Sequence, residues 1–335
     1  MSGGSGWVMG RLSVALIVLL SLGFGCTSPR KVALAPAAAP GGDKYAAAVR
    51  VASSDGLAVW IETDLAKRWL QGKRAFDVAE KRVASLARLP GVMGVKIADE
   101  LGYDDGFAGR AGLMRAFVRD AATALHRDAP GRSILVDLVV PQLGCLPGTT
   151  TSAALSCRQS AASTHPGLEL SNVDALLKTR AIDVLDLSTG LLSGSQYAAM
   201  GTTRDRAQAA AWKEVTRRGW PSLVRLNARK ALAHPGGYSG NAAADTATFL
   251  AIPLREGAHA VDVWTWRQQY KGQVYRLMDP GAVSNALWRA LLARRAAGDY
   301  LLTHFSPSSV DTTLAADLHL ISTVFRGVFV AAGTG

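Results

Sequence analysis

Carboxylates stand at the ends of several short apolar runs, and they are the side chains best fitted to move protons. Over residues 94–106 a β-rich run closes on the adjacent Asp99 and Glu100 and passes into a glycine-rich acidic loop. Successive residues of a strand point to opposite sides, so only one of these two aims straight into a common site unless the strand has ended before them. Glu62 closes the preceding run, Trp60-Ile-Glu62-Thr-Asp64. Asp64, or Thr63 before it, is accounted for as the N-cap of a following helix, whereas Glu62 has no such structural duty. Two carboxyls that flank a glycosidic bond, one protonated as acid and one acting as nucleophile or base, are the minimum needed to hydrolyse it.

Further charges lie inside apolar runs, where an isolated ion is expensive. Asp137, Asp186 and Asp262 each sit in the middle of a Val/Leu-rich stretch, and Arg225 stands in the run that ends at Asn227. Asp137 therefore needs a polar interior or a basic partner, and Arg225 is the candidate; a structural ion pair is the plainer outcome. So many charges on central strands call for a shared polar interior, which a ligand site supplies. Trp264 and Trp266 follow Asp262 at strand spacing, so both are candidates to stack on a sugar face, against the commoner fate of a tryptophan as packing.

The elements that must position these groups follow from periodicity. Strand-like runs occur at residues 57–61, 92–98, 134–140, 182–187, 222–226, 258–264 and 300–305, and helix-like amphipathic stretches at 76–89, 113–126, 204–218, 243–254 and 282–296 separate most of them. This alternation is that of a parallel sheet with crossover helices. No Gly-x-Gly-x-x-Gly follows the first run, and polar residues gather at the C-terminal ends: Glu62, Asp99, Glu100, Gln142, Ser188, Asn227, Arg267 and His304. A ring of polar strand ends around one mouth is the construction of a (β/α)8 TIM-type barrel, irregular or incomplete at its eighth strand, which is either 47–52 or 328–332. The connection from Pro141 to about Asn172 is long and rich in Ser, Thr and Gly, a length usually tied to function.

The Asp99–Glu100 pair at a strand end resembles that of several barrel glycosidases, in which the glutamate is the general acid and the aspartate orients an N-acetyl group. That resemblance covers these two residues and implies Glu100 as proton donor and Asp99 as an orienting group; the position and type of the other residues add Glu62 or Asp262 as the second carboxylate, and Asp137, Arg225, Asn227, Trp264 and Trp266 as substrate-binding residues. It departs in place, because those families carry the pair on the fourth strand and here it ends the second. The expected function is an extracytoplasmic glycoside hydrolase; the alternative is a carbohydrate-binding or envelope-associated lipoprotein on the same scaffold. The two differ in whether acids face one another across a cleft or are each locked to an arginine.

Outside the barrel, residues 1–26 have the layout of a signal peptide: Arg11, an apolar run over 12–22, then Gly23-Phe-Gly-Cys26. The ending resembles a lipobox, which implies lipidation of Cys26 and a membrane anchor, though Gly23 stands where that family prefers Leu; ordinary cleavage with secretion is the other reading. Residues 27–43 form an Ala/Pro-rich tether, and 44–335 one barrel domain. Loss of the leader leaves Cys145 and Cys157 as the remaining thiols, expected to be bridged in an oxidising compartment. The formal charge of +11 is spread along the chain with no basic block, which argues against nucleic acid as a partner. The six histidines show no zinc-protease spacing, and neither a nucleophile elbow nor a phosphate or dinucleotide loop is present, so no metal or cofactor is implied.

Overall fold

The computed structural model describes residues 42–103, 106–107 and 109–332. The leader, Cys26 and the tether as far as residue 41 lie outside them. The strands are β1 (Ala58–Glu62), β2 (Val92–Lys96), β3 (Ser133–Val139), β4 (Val184–Ser188), β5 (Arg225–Ala231), β6 (His234–Pro235), β7 (Ala260–Trp264), β8 (Arg267–Tyr270), β9 (Gln273–Arg276), β10 (Leu301–Phe305) and β11 (Gly327–Ala331). Eight of them close into a parallel barrel in the order β1-β11-β10-β7-β5-β4-β3-β2, while β6, β9 and β8 form a small antiparallel sheet. The protein is a (β/α)8 TIM-type barrel.

The eighth strand is the C-terminal candidate. β11 pairs in register with both β1 and β10, and this closes the sheet. The other candidate, 47–52, lies within a helix, Lys44–Ser54. Asp43 caps it by accepting from the Tyr45 amide, and Ala48, Val49 and Ala52 are buried at helical spacing. The fifth strand starts later than its apolar run, because residues 220–222 are a 3-10 turn introduced by Gly219 and Pro221. The long connection after β3 also carries structure. A 3-10 turn, Pro141–Gly144, leads into a helix, Ser152–Thr164, and Cys145 and Cys157 are joined by a disulfide.

Alternation along each strand divides the barrel interior into tiers. Trp60, Leu135, Val184, Ala260, Leu302 and Phe329 form one buried apolar cluster inside it. Two residues further along the same strands, toward the C-terminal mouth, stand Glu62, Asp137, Asp186, Asp262 and His304. The opposite parity of each strand packs on the surrounding helices, as Val59, Ile61, Val136 and Val261 do in the main core. The apolar tier thus seals the barrel beneath a charged one.

Candidate functional site

The charged tier is organised by three cations. Lys96, at the end of β2, is fully buried; its Nζ lies 3.1 Å from Glu62 Oε1, 2.8 Å from Asp99 Oδ1 and 3.2 Å from Asp137 Oδ2. Arg229, on β5, reaches across the barrel. Its Nε is 2.8 Å from Asp137 Oδ2, its Nη2 3.2 Å from Asp99 Oδ1, and its Nη1 donates to Glu100 Oε1 at 2.8 Å. His304, on β10, spans two acids: Nδ1 is 2.8 Å from Glu62 Oε2 and Nε2 2.7 Å from Asp262 Oδ2. With a carboxylate at each ring nitrogen, the doubly protonated imidazolium is the form that satisfies both contacts.

Burial alone would neutralise every one of these groups, so the shifts tell which charges prevail. Burial works against ionisation of Glu62, but the charges of His304 and Lys96 outweigh it and hold that carboxyl below its usual range. Asp262 behaves likewise through His304. Burial also disfavours a charged His304, yet Asp262 and Glu62 push it up to about 9. Asp99 lies on a crowded rim with half its side-chain surface exposed, and Lys96 and Arg229 hold it well below the usual carboxylate range against the local desolvation.

Two acids go the other way. Burial raises Asp137 to about 7 in spite of Arg229 and Lys96. Asp186 has no cation in contact; burial and the neighbouring charges of Asp262 and Asp137 drive it well above its ordinary value. Taken as a carboxylate, both Asp186 oxygens would be buried with no donor, whereas as an acid it donates to Asp262. Six carboxyls around three cations are thus kept together by leaving Asp186 protonated and Asp137 poised at about 7.

The sequence candidates divide accordingly. Glu62, Asp99, Glu100, Asp137 and Asp262 come together at the mouth; Trp264, at the C-terminal end of β7, packs on the small sheet, with Tyr270 at 6.0 Å and Tyr275 at 5.2 Å between ring centroids and its Nε1 donating to Gln268. Only Asp99, Glu100 and, to a lesser degree, Glu62 meet solvent; Asp137 and Asp262 do not. Two expectations are corrected. Arg225 is not the partner of Asp137: it sits at the N-terminal end of β5 with its guanidinium 5.9 Å from the Trp60 ring, and Arg229 takes that place. Trp266 lines no mouth, because β7 ends at Trp264; the Trp266 ring is buried against Trp288 and its Nε1 donates to Asp317. Asn227 is buried within the barrel near Trp60 and Leu302, below the rim.

Arg229 was missed by sequence reading, although Arg225, Asn227 and Arg229 share one strand parity, which is the signal that finds it. Among the described residues no group of three or more His, Cys, Asp or Glu is arranged to hold a metal ion, and no helix is long and apolar enough to cross a membrane.

No protein-family model and no curated protein sequence matches the chain. Similar solved structures include the carboxyl transferase domain of Rhizobium etli pyruvate carboxylase with pyruvate and biocytin, at 12% identity and a TM-score of 0.42, over 86% of this chain and 42% of that one. A 2,3-dimethylmalate lyase of the PEP mutase/isocitrate lyase superfamily is 13% identical with a TM-score of 0.41, over 86% of this chain and 80% of the other. An endo-1,4-beta-mannanase from Eisenia fetida is 13% identical with a TM-score of 0.43, over 77% and 79%. The chain spans less than half of the carboxyl transferase domain. At these levels the likeness says nothing of chemistry, and the fold rests on the closed strand order itself.

Proposed function

We propose that the protein is an exported glycoside hydrolase whose site is the acidic rim of the barrel mouth. The observation that carries this reading is the convergence of Glu62, Asp99 and Glu100 on solvent around two buried cations. Lys96 bridges Glu62 and Asp99, and Arg229 bridges Asp99 and Glu100, so the three carboxyls are linked around one rim. In this reading Glu62 is the ionised carboxylate that attacks the anomeric carbon or activates water. Lys96 and His304 keep it charged and fix its orientation. Glu100 is the proton donor to the leaving oxygen, Asp99 orients the substrate, and Trp264 offers an aromatic face for a sugar ring. Asp262, fully enclosed behind His304, supports Glu62 and does not reach substrate.

A second reading has its own observation: Arg229 grips Asp99 and Glu100 together, as acids are held in a binding surface. In it the barrel binds carbohydrate without cleaving it. Sugar release from envelope and plant polysaccharides by the chain from Lys44 onward, beside Glu62→Gln and Glu100→Gln, separates the two. Hydrolysis by the wild type with at least a hundredfold loss in both variants is expected. Binding without turnover by the wild type assigns the second reading.

A further inference from the structure

A separate cleft of about 460 Å³ opens at the C-terminal ends of β3 and β4, between the connections that follow them. Its size is that of a small-ligand site. Pro141 and Gly190, each just beyond a barrel strand, form its floor. That floor is fixed: the Tyr197 hydroxyl donates to Gly144 O at 2.7 Å and accepts from the Leu192 amide at 3.1 Å, joining the two connections. The facing wall is the helix Ser152–Thr164, tied back by the Cys145–Cys157 disulfide and by Arg158, whose guanidinium donates to the carbonyls of Cys145, Leu146 and Thr149.

Two contacts lead from the cleft toward the segment that carries Glu100. Tyr103, whose amide donates to Glu100 O at 2.9 Å, stacks on His165 with ring centroids 4.1 Å apart, and His165 lines the cleft. The chemistry of the lining is uniform. Ser156, Ser160, Thr164 and Gln196 present hydroxyls and an amide, Leu192 and Met200 present apolar surface, and no Lys, Arg, Asp or Glu contributes. Hydroxyl groups beside apolar patches match the two faces of a pyranose. A uronate or sulfated sugar would instead bring a charge that no lysine or arginine of the lining receives, which is costly to desolvate.

We infer that this cleft is a subsite for an uncharged sugar unit of the chain whose neighbouring linkage lies at the acidic rim. The inference rests on the carbohydrate reading above and adds the substrate class, a neutral glycan. The test is calorimetric binding of cello-, manno- and xylo-oligosaccharides, with oligogalacturonides as the charged counterpart, to the full chain and to its Ala161→Trp and Ser160→Tyr variants. Both positions lie on the cleft face of a helix, away from the barrel core, and circular dichroism with thermal midpoints checks each fold. Neutral oligosaccharides are expected to bind, and each filled variant to weaken them by about tenfold or more. Unchanged affinity in the filled variants, preference for oligogalacturonides, or no binding of neutral oligosaccharides by the wild type overturns the subsite. Failure of hydrolysis alone leaves it standing and removes only the catalytic reading.

Discussion

Lys96 sets the terms at the residue scale. A lysine with no exposed surface persists because acidic side chains surround its ammonium, two of them, Glu62 and Asp137, largely or wholly buried with it. Lys96→Met leaves Glu62, Asp99 and Asp137 crowded without their common cation and is expected to destabilise by about 3–5 kcal/mol in urea unfolding. Asp186→Asn is the informative contrast. A carboxyl held in its acid form differs little from an amide that donates to the same oxygen of Asp262, so a change within about 1 kcal/mol is expected. A large stabilisation in that variant would mean that Asp186 is ionised and that the distribution of protons in the tier is wrong.

The elements were legible where a strand carries a short, mostly apolar run, because such a run fits a buried strand better than a surface helix or a loop. β1, β2, β3, β7 and β10 fall within a few residues of their runs, and the acids at their ends were therefore found. β5 was not, since its segment Arg225–Ala231 carries Arg225, Asn227, Arg229 and Lys230, a polar load that an apolar barrel interior would not accommodate. The apolar signal there, at 222–226, sets the strand a few residues early, and tertiary burial carries it on through the polar residues. The same shift by a few residues concealed Arg229 and promoted Arg225. Register also hangs on a single glycine. In β2, Gly94 faces Trp60 across the β1 pairing, and a Cβ there would stand 2.5 Å from the Trp60 ring and 2.2 Å from the Ser133 carbonyl oxygen on β3. Backbone on one side and a filled interior on the other leave no room to yield. Gly94→Ala is expected to lower the urea midpoint, with a cost of about 1–3 kcal/mol or more.

For the molecule as a whole, the charged tier ties stability to pH in an unusual sense. Glu62, Asp99 and Asp262 have folded values below the ordinary carboxylate range. Their contribution is present above that range and is lost as pH falls through the depressed values. Asp137, raised to about 7, and Asp186, raised well above its ordinary value, act in reverse. Folding holds their protons, so their contribution is full below the unfolded value near 4 and drains away as pH rises. His304 adds to this loss: facing Glu62, Asp262 and Lys96, it titrates at about 9 in the fold against 6.5 when free, so its contribution is complete below 6.5 and gone above 9. The tier therefore favours the folded state most at mildly acid pH, below the neutral optimum of many proteins. Urea unfolding from pH 4 to pH 9 is expected to show stability falling toward the alkaline end. His304→Gln should make the decline between 6.5 and 9 shallower while leaving the part that Asp137 and Asp186 impose. An unaltered alkaline slope in that variant would place the proton elsewhere than between Glu62 and Asp262, and with it would go the argument that His304 keeps Glu62 ionised for attack.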